Sequence, residues 1–332
     1  MSLKHSWFLR HIVLIAIFLG GTGCAPSPAK TGQTTPTPAA VTEVRLINPM
    51  GPVVIPITGI TSGNTKSDLK IDVQYWKTVD EATGLLAGDE VQFAVLPVST
   101  GVNMAASGID LALLAVHEWK AFYLVGSAGQ TFNGWASLVG KTVYTPESKG
   151  QTVDVLTRYA LSKANIVPDR DVTFAYAPAQ EIVALFKEGK LDFAALPEPY
   201  VTMAVASGKG KIVLDYQDYW SQISASKHGI PIAGLFVKQQ FLAQHPAETR
   251  AVAQALATST QWANANPKAA IQAGAEVLPI AATVMEPALK RLVFDYVPAT
   301  DAKDEVLTFL KTMQETYPEG VQKIPDERFF AQ

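Results

Sequence analysis

The chain is poor in the residues that most reactive chemistry requires. Its 332 residues include one cysteine, Cys24, so no internal disulfide can form, and only five histidines. Charged residues make up 17% of the chain, with no basic run and no interleaving of aromatic and basic residues, which excludes a nucleic-acid partner. The N-terminal apolar run, Ile12 to Leu19, is far shorter than the roughly 20 residues a membrane-spanning helix needs. No G-x-S-x-G nucleophile pattern occurs. The stretch HEWK opens like a zinc-protease helix, but the residue four beyond His117 is Ala121, so no metal site is expected. The GKT at 140–142 lacks the glycine of a phosphate loop, with Trp135 in its place, and precedes a strand instead of following one. It reads as a tight turn, and no cofactor is implied.

At the N-terminus, Lys4 and Arg10 flank an apolar stretch that ends in GGTGC. This arrangement has the form of an export signal over residues 1–23, and Cys24 resembles the acylated cysteine of a bacterial lipoprotein. The following tract, APSPAKTGQTTPTPAA, is too rich in Pro, Thr and Ala to pack and is expected to be a flexible tether over 24–40. Loss of the signal removes two basic residues and no acid, leaving the remainder more acidic than the formal −3 of the whole chain. The expected location is therefore extracytoplasmic, with a lipid anchor at Cys24.

From Val41 onward, 48% apolar content is organised as β-rich runs alternating with helical stripes, the pattern of parallel sheets with crossover helices. Strands are expected at 44–47, 71–76, 91–96, 109–116, 141–145, 172–177, 191–196, 211–216 and 232–237. Several are apolar on both faces, as strands buried between helix layers should be. Helical stripes run through Val153, Leu156 and Ala160, and through Ile182, Leu185 and Phe186. In the last hundred residues strand signals stop; Pro246 suits a helical first turn, and Val306, Leu310 and Met313 mark a late helix entered after Thr300 and Asp301.

The blocks SLVGKTVYTPESKGQTVDVLTRYALSKANI, EIVALFKEGKLDFAALPEPYVTMAVASGK, KQQFLAQHP and ATSTQWANANPKAA, in that order, resemble the extracytoplasmic solute-binding proteins of ABC importers. The likeness is to the nitrate, sulfonate, taurine and thiamine-pyrimidine group and covers roughly residues 41–315. It implies two Rossmann-like α/β lobes with a hinged ligand cleft, the type II periplasmic-binding fold. Lobe I would comprise 41–122 and 232–332, and lobe II 123–231. Hinges would lie at 123–130 and 226–233, which contain Gly126, Gly129 and Gly229. The partners implied are a small-molecule ligand and an ABC permease, and the expected state is a monomer.

The physics of one stretch points the same way. In VYTPESKGQTVDVL a strand gives way to a helix, and ligands of open α/β sheets collect at the carboxyl ends of strands. A helix N-terminus there offers free N–H donors and a partial positive charge. Ser148 and Thr152 would add hydroxyls, Gly150 would allow close approach, and Lys149 and Gln151 complete the candidate set. Other strand ends supply Asn48, Met50 and Gly51, then Trp76, then Ser99 and Thr100, then Trp119, and finally Glu198 and Tyr200 of LPEPY. Trp135 and Trp220 are expected to be packing residues. Lys149 and the helix starts favour an anionic group on the ligand, whereas Glu118 and Glu198 favour a donor-rich or cationic one. A hydrogen-bonding or zwitterionic heterocycle, such as a pyrimidine or flavin-like vitamin precursor, meets both demands. The expected role is delivery of a small organic solute, without catalysis. The rival roles are a biosynthetic enzyme on the same fold and a module feeding a sensor.

Overall fold

A computed structural model describes residues 41–331 apart from 89, 147 and 279. The expected signal, tether and lipidated Cys24 lie outside these residues. Eleven strands and twelve α-helices follow one another among the described residues. The strands are β1 (Glu43–Pro49), β2 (Lys70–Trp76), β3 (Phe93–Pro97), β4 (Leu111–Lys120), β5 (Phe122–Ser127), β6 (Thr142–Pro146), β7 (Thr173–Ala177), β8 (Phe193–Pro197), β9 (Gly210–Asp215), β10 (Ala233–Lys238) and β11 (Val293–Pro298). The helices are α1 (Val54–Thr61), α2 (Val79–Ala87), α3 (Val98–Ala106), α4 (Thr152–Lys163), α5 (Ala179–Lys187), α6 (Tyr200–Ala206), α7 (Tyr216–Ser224), α8 (Gln239–Gln244), α9 (Pro246–Ala265), α10 (Pro267–Gly274), α11 (Ala282–Leu289) and α12 (Ala299–Thr316).

Two sheets result, in the orders β11-β4-β10-β3-β1-β2 and β7-β6-β8-β5-β9. In the first, β1, β2 and β3 are parallel and β10 runs antiparallel between β3 and β4. In the second, β6, β7 and β8 are parallel and β5 runs antiparallel between β8 and β9. Each sheet with its helices is an α/β lobe. The parallel strands of each direct their carboxyl ends into loops that open helices, the site-forming edge of such sheets.

Local sequence accounts for the starts of several elements. Thr78 caps α2 by accepting from Glu81 N at 3.2 Å, while the Glu81 carboxylate accepts from Lys77 N at 2.8 Å, so two orphan N–H groups are satisfied reciprocally. Asp215 caps α7 in the same sense, and α9 begins on Pro246, whose missing N–H costs nothing in a first turn.

Three apolar cores hold the layers. One face of the first sheet (Val44, Leu46, Val95, Leu235) packs on α1 and α9 through Ile57, Val252 and Leu256. One face of the second (Val125, Ala194, Leu196) packs on α5 and α6 through Ile182, Phe186 and Val201. The remaining faces share a single core: Ile47, Leu96 and Phe236 of the first sheet join Leu124, Val143 and Phe193 of the second through Val153 and Leu156 of α4 and Phe309, Leu310 and Met313 of α12. Burying one such Leu or Phe side chain contributes about 1.5–3 kcal/mol, so the shared core binds the lobes together as well as filling each.

Two expectations are corrected. The stretch 123–130 is not a hinge, because 122–127 form β5, paired on both sides, and a Cβ on Gly126 would press on Phe193 and Val213 at 3.1 Å. The first crossing between lobes is instead Ala121 alone, the one residue between β4 and β5. Strand signals also do not stop in the last hundred residues, since β11 pairs with β4 at the edge of the first sheet. The second crossing, 225–232, carries no helix or strand. Its Gly229 adopts φ 116°, and a Cβ there would lie 2.6 Å from the Trp119 carbonyl oxygen, so the second crossing lies against the end of β4.

Candidate functional site

The start of α4 answers the question its sequence raises. Gln151 is the residue before the helix and supplies no side-chain cap. Gly150, at φ 92°, turns its N–H onto the Asp154 carboxylate at 2.8 Å. Asp154 is fully buried and also accepts from Arg158 Nε at 3.0 Å and from the Tyr176 hydroxyl at 3.1 Å. Arg158 spends its other nitrogens on Asp169, at 2.7 and 3.0 Å, and its guanidinium lies 4.0 Å from the centre of the Phe174 ring. Lys149 is bound to Asp169 at 3.2 Å and stands 6.0 Å from the Tyr317 ring centre. The positive end of α4 is therefore already balanced by a carboxylate of its own first turn. Ser148 and Gln151 are exposed and Thr152 is half-buried, so Ser148 does not cap the helix.

The other expected positions divide by what their polar atoms do. Ser99 and Thr100 are half-buried in the first turn of α3, Met50 is 37% exposed, and the Gly51 carbonyl accepts from Val54 N as α1 begins. Tyr200 accepts from Gln180 Nε2 at 2.9 Å. Asn48 is buried, its amide donating to the Pro49 carbonyl at 3.0 Å while its Oδ1 has no partner. Two residues expected to face a ligand are already engaged elsewhere. Trp119 is fully buried, donates Nε1–H to the Asp295 carbonyl at 3.0 Å and stacks 5.0 Å from His228, because Trp119 lies within β4 and not beyond its end. Glu198 accepts from Arg291 and from both the N–H and the hydroxyl of Thr202, which fills both oxygens.

Asn48 Oδ1 is one of several buried polar atoms left unsatisfied, as is Thr65 Oγ1 in the loop between α1 and β2. Trp76 Nε1, both ring nitrogens of His117, Thr145 Oγ1, both amide atoms of Gln217 and Trp220 Nε1 are buried without a hydrogen-bond partner. Buried polar groups in folded proteins are paired in the great majority, and leaving one unpaired costs about 1–3 kcal/mol, so such a group points to a missing partner. Trp76 ends β2, His117 lies near the end of β4, Thr145 near the end of β6, and Gln217 and Trp220 open α7. They thus come from both lobes and from the sheet edges where ligands collect. Trp76 and Trp220 belong to the core the two sheets share, and Thr145 follows Val143 of that core by two residues, which puts it on the same face of β6.

The set carries no net charge. Burial lowers the His117 pKa to about 4, so near neutral pH its ring offers one N–H and one lone pair. The indoles donate, the Gln217 amide donates and accepts, and the Thr145 hydroxyl does either. Among the described residues no cluster of His, Cys, Asp and Glu suited to a metal occurs.

Of the unsatisfied residues the sequence nominates Asn48 and Trp76. It offers His117 only as a zinc ligand and Trp220 as packing, and does not single out Thr145 or Gln217. Thr145, a hydroxyl in the last apolar-facing position of a buried strand, was the one legible signal.

Comparison with known proteins follows the same architecture. The structure is similar to that of an ABC transporter from Parabacteroides distasonis, with a TM-score of 0.74 and 25% identity over 88% of this chain and 99% of that one. It is similar in fold to the periplasmic aliphatic sulphonate binding protein SsuA of Escherichia coli, with a TM-score of 0.70 and 16% identity over 88% of this chain and 92% of that one. Half of this chain is 26% identical to part of the bicarbonate transport ATP-binding protein CmpC of Synechococcus elongatus, and the match spans only 24% of that longer protein. The two lobes are those of the type II periplasmic-binding fold. With residues 82–279, more than half of its length, matching the family model, the chain belongs to the NMT1-like family.

Proposed function

We propose that this protein is the solute-binding component of an ABC import system, holding a small organic solute between its lobes and releasing it to a permease. The observation that carries the reading is the set of unpartnered buried polar atoms contributed by both lobes at Trp76, His117, Thr145, Gln217 and Trp220. A ligand that satisfied them would stabilise the arrangement in which both lobes reach it, which is how a clamp closes. The set is neutral, and Lys149 and Arg158 are both engaged by carboxylates. This favours an uncharged or zwitterionic hydrogen-bonding molecule with a flat apolar body over a bare inorganic anion. The protein performs no chemistry on its cargo. Acylation of Cys24 would tether it as a monomer to the outer face of the cell membrane, with residues 24–40 as the leash.

The test is native mass spectrometry of the chain from residue 24 onward carrying Cys24→Ser, followed by thermal-shift screening of pyrimidines, vitamin precursors, amino acids, sulfonates and nitrate. Binding to the folded state alone raises stability by about 2.7 kcal/mol at a hundredfold excess over Kd, a shift of several degrees. A neutral or zwitterionic heterocycle giving that shift supports the reading. Stabilisation by nitrate or a simple sulfonate alone would refute the ligand class. A cargo recovered chemically altered would refute the binding role itself.

A further inference from the structure

Arg291 stands between α11 and β11, in the part of the chain that belongs to the first sheet. Its side chain crosses to the second lobe, where Nε donates to Glu198 and a terminal nitrogen donates to Thr202 Oγ1 at 2.5 Å. Thr202 in turn donates its N–H and hydroxyl to the other Glu198 oxygen, at 3.0 and 2.8 Å. From the same side, the Tyr123 hydroxyl of β5 donates to the Arg291 carbonyl at 2.7 Å. The Glu198 side chain is 0% exposed and that of Arg291 28%. Below this cluster, α11 of the first lobe packs on α6 of the second.

The place of the cluster matters as much as its chemistry. Val293 pairs with Lys120, the last residue of β4, and Glu198 N donates to Ala121, the single residue of the first crossing. The chain ahead of β11 therefore runs alongside the crossing and reaches over it. A buried carboxylate whose only cationic partner among the described residues sits on the other lobe cannot lose that partner cheaply: breaking such a pair from one side strands a charge away from water.

We propose that Arg291, Glu198 and Thr202 form a latch that sets the balance between closed and open lobes without touching the solute. Glu198 is thereby a positioning residue, and its place at the end of β8 serves the movement of the lobes. Separating α6 from α11 requires the guanidinium to leave Glu198, so the latch holds the lobes together before any cargo arrives. Its consequence for affinity rests on the solute-binding reading; the latch itself is measured without a solute.

The experiment is single-molecule energy transfer on the solute-free chain carrying Cys24→Ser, with dyes at Lys77→Cys and Lys187→Cys, both exposed and one in each lobe. Arg291→Met and Glu198→Gln are each expected to lengthen the inter-lobe distance and raise the open-to-closed ratio by at least about tenfold, as loss of a buried pair implies. Arg291→Lys, which restores the charge without the fork, should recover part of the closed population. The double variant should open no further than either single one, because both remove the same link. Should Arg291→Met fail to fold, Glu198→Gln keeps the shape and carries the test. Parent-like distances in the variants that fold would overturn the proposal, as would a double variant that opens by the sum of two independent effects.

Discussion

Glu118→Gln should stabilise this protein, and should do so in a pH-dependent way. Glu118 lies on β4 between Ala233 of β10 and Phe294 of β11 and is buried, and its carboxylate has no hydrogen-bond or ion-pair partner among the described residues. Burial raises its pKa from the ordinary 4.5 to about 8. Between those values the folded protein holds a proton that the unfolded chain has lost, so stability is fully present below pH 4.5 and declines as pH rises toward 8. At about 1.4 kcal/mol per pH unit the loss is roughly 3 kcal/mol at pH 7 and roughly 4 kcal/mol at pH 8. Glutamine keeps the shape and removes the charge. The variant should therefore gain several kcal/mol on the parent at pH 8, and the gap should shrink to below about 1 kcal/mol at pH 5. The adjacent His117 works in the opposite sense: with a folded pKa of about 4, its contribution is complete above 6.5 and is lost as pH falls below that. In the parent the two slopes oppose each other from about pH 6.5 to 4.5, and the variant should uncover the histidine slope alone. Urea denaturation of both proteins at pH 5, 6.5 and 8 reads this out. A stability difference that does not change with pH would show that the Glu118 carboxyl is not desolvated as its position implies, and would refute the argument.

Gly150→Ala should cost roughly 2 kcal/mol, since a left-handed φ penalises any Cβ by about 1–2 kcal/mol and this one would also run into the Tyr317 ring. In a thermal-denaturation double-mutant cycle, Tyr317→Ala should recover only the ring part of that cost. Arg158→Met strands the buried Asp154 carboxylate and should destabilise by about 3–5 kcal/mol, measured by chemical denaturation. The same variant should lift the Asp169 pKa, which the Arg158 hydrogen bonds hold below the ordinary carboxylate range. Asp169 stabilises the fold above its ordinary 3.8, and that contribution is lost as pH falls through its lower folded value. Lys149 still holds Asp169 in the variant, so the variant should show a smaller acid-side loss than the parent, and the carboxyl shift is followed by NMR titration.

The architecture was legible in the sequence because the parallel strands are buried on both faces and read as continuous apolar runs between helical stripes. All nine expected strands are present, displaced by a residue or two at their ends except β4, which runs four residues past its expected end to Lys120. The two strands absent from the expectation, β5 and β11, are hidden for different reasons. FYLVGS follows HEWKA without a Gly or Pro to punctuate it, so no second strand start is visible after the strand expected at 109–116, and the family resemblance puts a hinge there instead. VFDYVP lies at the edge of a sheet, with exposed Val293 and Asp295 on either side of buried Phe294, and the helices on both sides conceal it. The candidate site was less legible for a stronger reason. Whether Gln217 or His117 is left without a partner depends on which neighbours arrive from both lobes, and no local pattern encodes that. The polar atoms of Glu198 and Trp119 are filled by Arg291 and Asp295, which are 93 and 176 residues away.

The roof that α12 forms over α4 and α7 also orders events in time. Every strand and helix of the second lobe has been synthesised by residue 224, but Phe309, Leu310 and Met313, which close its inner face, come some eighty residues later. Until the C-terminal part of the chain is available, that face stays uncovered and the polypeptide has no reason to collapse into its final form.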